Sequence, residues 1–222
     1  MTPVRIVIMA KAPVAGFAKT RLIPALGARG AAGLAAALLR RTVQTALAAG
    51  VGPVELCATP GHQQADWHGT RLPAAAVWSD QGAGDLGQRM AQAAQRTLAG
   101  GEAVVLIGTD CPALSASDLQ QAAAALQPGQ FDAAMTPTFD GGYALLGLAR
   151  FDARVFEGIA WSTSGVAATT LERVAQLGWR VMRFQTRHDI DEPADLQWLP
   201  SDAADELAAW RPAATDIGAN PA

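Results

Sequence analysis

The sequence predicts an α/β protein built on a largely parallel sheet, and three observations carry that expectation. Short apolar, β-rich runs alternate with longer alanine-rich stretches along most of the chain, the pattern of strand–helix–strand units whose strands pair in parallel. Gly50, Gly100, Gly101 and Gly178 stand just beyond three of the expected helices, where a C-terminal glycine is favoured. Two strand-like runs flank Phe139-Asp140-Gly141-Gly142 too closely for a helical crossover. They therefore read as a hairpin or antiparallel excursion, which makes the sheet mixed.

Taken in order, the first strand is the apolar run 4–9. A small-residue loop follows, then an alanine-rich helix over 28–49 that stops at Gly50. Strands over 54–58 and 75–79 precede a glycine-rich turn and a helix over 86–98. The strand 104–107 runs into Gly108 and leads to a helix over 117–126. That helix begins with a capping box, since Asp118 lies three residues after Ser115 and each side chain can serve the other's backbone N–H. Strands 132–136 and 143–148 form the hairpin-like pair, and a helix follows over 166–177. A last strand, 180–185, leads to a helix over 193–199, opened by Pro193 in the first turn, where proline is favourable.

The chain has 222 residues and a mass of 23.0 kDa, enough for one domain with a substantial core. A single domain over 1–211 is expected, with 212–222 as a flexible tail, because the last residues are small and polar with Pro212 and Pro221. The net charge of -3 leaves no global nucleic-acid footprint, so any anion site must be local. Cys57 and Cys111 are too few and too isolated for a disulfide scaffold. The N-terminal apolar run 6–10 is too short for a signal-peptide core, and no run of consecutive apolar residues suggests a membrane span. A cytoplasmic location is expected.

Five segments can carry chemistry. The first is the loop after the first strand, which holds the only two lysines of the chain, Lys11 and Lys19, together with Arg21. Lysine is a compact point charge suited to phosphate, and Gly16 lets the backbone approach a ligand. Gly16-Phe17-Ala18-Lys19-Thr20 matches the end of a P-loop except at Ala18, where that loop requires glycine; the ATPase reading fails there. The second is Gly108-Thr109-Asp110-Cys111-Pro112 at the end of a buried strand. Ligands of open α/β sheets sit outside the carboxyl ends of the strands, so Asp110 can hold a hard divalent cation or cap the next turn. Cys111 has no evident cationic or histidine partner and reads as packing.

The third is His188-Asp189-Ile190-Asp191-Glu192-Pro193-Ala194-Asp195, in which Asp191 or Glu192 can cap the following helix. Asp189 and Asp191 alternate, so an extended segment points both to one side, and either can join Asp110 around one metal. The fourth is Asp140-Gly141-Gly142-Tyr143, a tight turn or a place of close ligand approach. The fifth is Gly82-Ala83-Gly84-Asp85-Leu86-Gly87-Gln88-Arg89, a seat for a base, ribose or phosphate, or a plain loop capped by Asp85. Trp161-Ser162-Thr163 can cap a helix or line a pocket, and His62 and His68 lie at the wrong spacing for one helical face. No Ser-His-Asp or Gly-x-Ser-x-Gly pattern gives a hydrolase triad a foothold.

These segments, in this order over residues 4 to 199, resemble bacterial nucleotide-diphospho-sugar transferases of the GT-A type. The similarity is greatest to the small group described as radical-SAM/selenodomain-associated glycosyltransferases. Its broader relatives include guanylyltransferases of the molybdenum-cofactor and phospholactate pathways and sugar-phosphate cytidylyltransferases. The resemblance implies a three-layer α/β/α sandwich with a mixed, mainly parallel central sheet. It also implies a nucleotide laid across the strand ends, with Mg²⁺ or Mn²⁺ held by Asp110 and Asp191, and Asp189 as the alternative to Asp191. Ala10, Lys11, Gly16, Lys19, Arg21, Gly84, Asp85, Gly87 and Thr109 are then the expected nucleotide contacts. Asp140, Gly141, Gly142, Tyr143, Trp161, Ser162 and Thr163 face the acceptor. Lys11, Lys19, Arg21 and Asp110 are the expected catalytic group. The nucleotidyltransferase relatives usually carry Gly-Gly-x-Ser/Thr-x-Arg-Met in the first loop, where this chain has Lys11-Ala12-Pro13 and Gly16.

The expected partners are a nucleoside triphosphate or nucleotide sugar and a small-molecule acceptor, without nucleic acid. Nucleotidyl transfer with release of pyrophosphate is the preferred reaction. Glycosyl transfer from a nucleotide sugar is the alternative, and a non-catalytic nucleotide-binding module is a third reading.

Overall fold

The computed structural model describes residues 2–64, 67, 70 and 72–201; the tail 212–222 and His68 lie outside them. Its strands are β1 (Val4–Lys11), β2 (Val54–Thr59), β3 (Val77–Asp80), β4 (Ala103–Ile107), β5 (Ala133–Pro137), β6 (Tyr143–Leu148) and β7 (Val181–Arg183). The α-helices are α1 (Ile23–Ala49), α2 (Leu86–Ala99), α3 (Ala116–Ala125) and α4 (Val166–Gln176). Seven strands lie in the order β3-β2-β1-β4-β6-β5-β7. β6 runs against both β4 and β5, while the other pairs are parallel. The mixed, mainly parallel sheet is the expected one, and the close pair around residues 139–142 is its antiparallel element.

Alternation along the strands builds the three layers. Ile6, Ile8, Val105 and Ile107 pack with Leu39, Val43 and Ala46 of α1 and Leu119 and Ala122 of α3. Val7, Val104, Leu106 and Leu146 point the other way and pack with Met90 and Ala93 of α2 and Val174 of α4. A strand covered on both faces needs a continuous apolar run, and all five residues of β4 are buried. Small residues let the helices lie close: α1 buries Ala31, Ala32, Ala36, Ala37 and Ala46. The α3 capping box forms as expected, with the Ser115 side chain accepting from Asp118 N and Asp118 accepting from Ser115 N.

Differences from the expected elements have local causes. α1 begins at Ile23 rather than 28, with a break at Gly27 (φ 70°, ψ 164°) that only glycine adopts without strain. A 3-10 turn over Thr20–Leu22 precedes it, and another spans Ala153–Val155. The expected last helix is a 3-10 segment, Pro193–Trp198, and β7 keeps only three residues. The stretch Thr20–Ala49 is long and apolar enough to cross a membrane, which a count of consecutive apolar residues did not register; here 56% of its most apolar window is buried in the protein.

A third, smaller core bears on the site. Leu22, Leu34, Leu38 and Ile190 are buried together, with Leu196 and Leu199 packed against them. It fastens the acidic segment after β7 to the start of α1. Ile190 has no exposed surface, so Ile190→Ala should cost about 2–5 kcal/mol. Urea unfolding measures this directly, and a loss under about 1 kcal/mol would mean the segment is not anchored by that core.

Candidate functional site at the carboxyl edge of the sheet

β1, β4, β5 and β7 all run toward one edge, and the loops leaving that edge carry the expected segments. The loop after β1 turns back through Lys19, which takes a left-handed backbone (φ 49°, ψ 45°), uncommon for a residue with a side chain. That turn drives the lysine into the protein, leaving its side chain 6% exposed. Its ammonium lies 2.6 Å from Asp110 Oδ1 and 3.7 Å from Asp191 Oδ1. It also donates to the Ile190 carbonyl at 2.5 Å. Arg21, 59% exposed, pairs with the other oxygen of Asp191 at 2.6 Å and reaches Glu192 at 4.0 Å. Four residues from three distant segments therefore meet at one point.

The backbone beneath them is tied in register. Ile190 N donates to the Asp110 carbonyl at 2.8 Å, so the acidic segment docks directly on the end of β4. Asp195 accepts from Asp191 N at 3.0 Å and from Glu192 N at 2.7 Å. Its carboxylate serves the amides at this turn, which leaves the Asp191 side chain for the cations. Thr109 donates to Asp110 Oδ1 at 3.2 Å. Arg187 pairs with Asp118 at 3.0 Å and clamps the same segment to the start of α3.

Asp189 borders this cluster without joining its ion pairs. Its carboxyl is pushed up to about 6, first by burial and then by Asp140, with Asp110 and Asp195 adding to the effect. Lys19 and Arg21 pair with Asp191, and neither pairs with Asp189. Among the described residues no group of three or more His, Cys, Asp or Glu side chains is placed to hold a metal ion. The donor set is the pair Asp110 and Asp191, both partly exposed and both directed at the Lys19 ammonium. Two hard carboxylates with open sides suit Mg²⁺ or Mn²⁺, whose remaining ligands are phosphate oxygens and water. The residues fit such an ion, which would compete with Lys19 for the same oxygens.

The remaining expected residues divide. Ala10 is buried, and its carbonyl accepts from Gln81 Nε2 at 3.0 Å. Lys11 is exposed at the end of β1, and no ion pair engages it among the described residues. Gly16 (φ 84°) faces open space. Asp85 caps α2, accepting from Gln88 N at 2.8 Å, while Gln88 serves Asp85 N at 2.9 Å. Gly87 and Trp161 are in contact, since a Cβ at Gly87 would come within 2.5 Å of the indole. Two segments separated in sequence are thus one wall. Gly141 (φ 91°) likewise abuts the Ser164 carbonyl, 2.0 Å from a would-be Cβ. Asp140 accepts from Thr138 at 2.5 Å and from Gly142 N at 2.9 Å, which builds the hairpin tip.

Ser162 is exposed with φ 63°, and Thr163 donates to the Ala160 carbonyl at 2.7 Å. Tyr143, expected toward the acceptor, turns inward. Its phenol is raised by burial, with a hydrogen bond to Thr170 opposing, and it lies 3.8 Å from Met90 Sδ. Cys57 and Cys111 are free and buried, and burial pushes the Cys111 thiol up to about 11, as packing requires. Arg89 closes the glycine-rich segment already singled out, but sequence reasoning missed Gln81 and an aromatic stack in which His188 lies between Phe139 (4.2 Å) and Trp198 (4.0 Å). No local motif marks either of these.

Residues 42–163 match the bacterial family DUF2064, described as an uncharacterized protein conserved in bacteria. A solved structure from Desulfovibrio desulfuricans G20, provisionally named a nucleotide-diphospho-sugar transferase, is 32% identical. The match covers 88% of this chain and 85% of that one, with a TM-score of 0.79. The 4-diphosphocytidyl-2C-methyl-D-erythritol synthase of Anaerococcus prevotii DSM 20548 is 10% identical, with coverage of 91% and 99% and a TM-score of 0.57. A cytidylyltransferase from Leptospira borgpetersenii is 15% identical, with coverage of 94% of each chain and a TM-score of 0.53. At those identities the last two likenesses are of fold. No curated protein matches the sequence.

The Asp118 carboxyl has a pH consequence. Burial raises it, but hydrogen bonds from Ser115 and Arg187 outweigh burial and hold it below the usual range. A lowered folded pKa contributes stability above the unfolded value, about 3.9, that is lost as pH falls through the folded one. Asp118→Asn should therefore cost about 1–3 kcal/mol at neutral pH. That difference should shrink as pH falls below the unfolded carboxylate value and through the lowered folded one, as read by denaturant unfolding across pH.

Proposed function

The chain belongs to the DUF2064 family, and we propose that it is a divalent-cation-dependent transferase acting on an activated nucleotide. The observation that carries this reading is the convergence of Asp110 and Asp191 on one cation position at the carboxyl edge of the sheet. In an α/β sheet this is where ligands sit. A divalent cation held there by Asp110 and Asp191 would neutralise phosphate charge.

The preferred reaction is nucleotidyl transfer. An acceptor oxygen forms a bond to the α-phosphorus of a nucleoside triphosphate, while the bond to the departing pyrophosphate breaks. The chain's contribution is positioning and charge. Asp110 and Asp191 are oriented by Thr109, Lys19 and Arg21. Lys11 stands at the open end of β1 to meet phosphate. Asp140 and the wall made by Gly87 and Trp161 border the acceptor side. The name of the 32% identical Desulfovibrio protein favours a second reading, transfer of a sugar from a nucleotide-diphospho-sugar. Product analysis separates the two, because only the first releases pyrophosphate from a triphosphate.

Asp110→Asn should abolish Mg²⁺-dependent nucleotide binding, by at least about tenfold in Kd, in calorimetry and thermal-shift titrations. Unchanged Mg²⁺ dependence would remove Asp110 from the metal role. Lys19→Met deletes the competing ammonium and should tighten Mn²⁺ binding, read by electron paramagnetic resonance of free Mn²⁺ without any nucleotide. Weaker or equal Mn²⁺ affinity would mean that the ion and Lys19 do not compete.

A further inference from the structure

The positive charges at the carboxyl edge fall into two groups. Lys19, Arg21 and Arg187 are matched by Asp110, Asp191, Glu192 and Asp118. Lys11 and Arg89 have no carboxylate partner among the described residues. Arg89 lies in the first turns of α2 and is partly buried. Its Nε is fully buried without a hydrogen-bond partner, and its Nη1 makes only a long contact, 3.5 Å, with Gln81 Oε1. Buried guanidinium donors are ordinarily satisfied, so an unmatched one beside a binding edge calls for an acceptor from outside the chain.

Gln81 places that guanidinium. It follows β3 directly, is buried, and donates its amide to the carbonyls of Ala10 and Cys57 at 3.0 Å each. Its backbone N–H donates to Ala58 at 3.0 Å. Gln81 is thus locked between the ends of β1 and β2, and its remaining side-chain oxygen holds Arg89 next to the end of β1. Lys11 is the residue after Ala10. Two unneutralised cations, one a planar fork and one a point charge, therefore flank the same strand end. A fork suits two phosphate oxygens at once and a flexible ammonium suits another.

We propose that Arg89, together with Lys11, binds the phosphates of the nucleotide, while Lys19 and Arg21 serve the carboxylate pair. This rests on the reading of the site as that of a nucleotide-dependent transferase. It assigns a phosphate ligand from α2 that lies outside the first loop, and it divides the first-loop cations between two tasks.

Inorganic pyrophosphate tests the assignment because it carries the charge without a base. Titrated calorimetrically in EDTA, it should bind the wild-type chain with an affinity that falls as salt rises. Arg89→Gln should weaken that binding at least tenfold and Lys11→Gln by a similar factor, with melting temperatures near that of the wild type. Arg89→Lys keeps the charge but not the fork and should fall between. Arg154→Gln, whose guanidinium pairs with Asp152 on the far side of the hairpin, should bind as wild type. If Arg89→Gln fails to fold, Arg89→Lys carries the test and must still weaken binding. Wild-type affinity in both Arg89 variants overturns the proposal, and a lowered melting temperature with unchanged binding assigns Arg89 to structure instead. In either case loss of Mg²⁺-dependent nucleotide binding in Asp110→Asn leaves the transferase reading standing. Failure of the wild-type chain to bind both pyrophosphate and every nucleoside triphosphate overturns the two together.

Discussion

The ammonium of Lys19 is the contact on which the site's arrangement depends. Asp110 and Asp191 are 81 residues apart in the chain, and two carboxylates brought close together repel unless a cation stands between them. Lys19 supplies that cation at 2.6 and 3.7 Å and adds a hydrogen bond to the Ile190 carbonyl. Its left-handed backbone costs of order 1 kcal/mol or more in a residue with a side chain. The turn persists because it carries the ammonium to both acids. The same position is where a divalent ion would be attracted, so the lysine serves as a built-in counter-charge.

Apolar packing makes this electrostatic arrangement permanent. Leu22, immediately after the lysine's turn, and Ile190, between the two acids, are both fully buried in one small cluster. Burial pulls these residues inward, while the alternation of an extended segment turns Asp189 and Asp191 outward. The hydrogen bond from Ile190 N to the Asp110 carbonyl fixes the register of that segment against β4. Arg187 ties its other end to α3. The loops are thus held from below by the core and from the side by hydrogen bonds, which leaves the carboxylates oriented and partly open.

Charge is distributed along the same edge with a clear division. Acids at 110 and 191 are answered within the protein, whereas among the described residues Lys11 and Arg89 meet no carboxylate. Asp189 sits among Asp140, Asp110 and Asp195 and is held less acidic than usual, so the hairpin side of the edge is negative. A ligand spanning the edge would meet cations near the end of β1 and acids near the hairpin tip. Above that acidic side the rings of Phe139, His188 and Trp198 stack, joining the hairpin to the last 3-10 segment.

Much of this was legible in residue order alone. The strand–helix alternation, the capping box at Ser115 and Asp118, and the hairpin around Gly141 depend on local pattern, and they appear where the pattern puts them. The concentration of both lysines in the first loop, and Asp110 at the end of an apolar strand, likewise pointed to this edge. The partnerships did not follow from order. Nothing local says that Lys19 turns inward while Lys11 stays out, that Asp191 rather than Asp189 meets the cations, or that the Tyr143 hydroxyl is buried against Met90 and Thr170. Gln81 and Arg89 acquire their positions only when β3 lies beside β2 and α2 packs across β1. Sequence periodicity specifies which face of an element is apolar, because that is a property of neighbouring residues. Which charges meet is decided by how the sheet orders its strands, because the strands that carry them are distant in the chain.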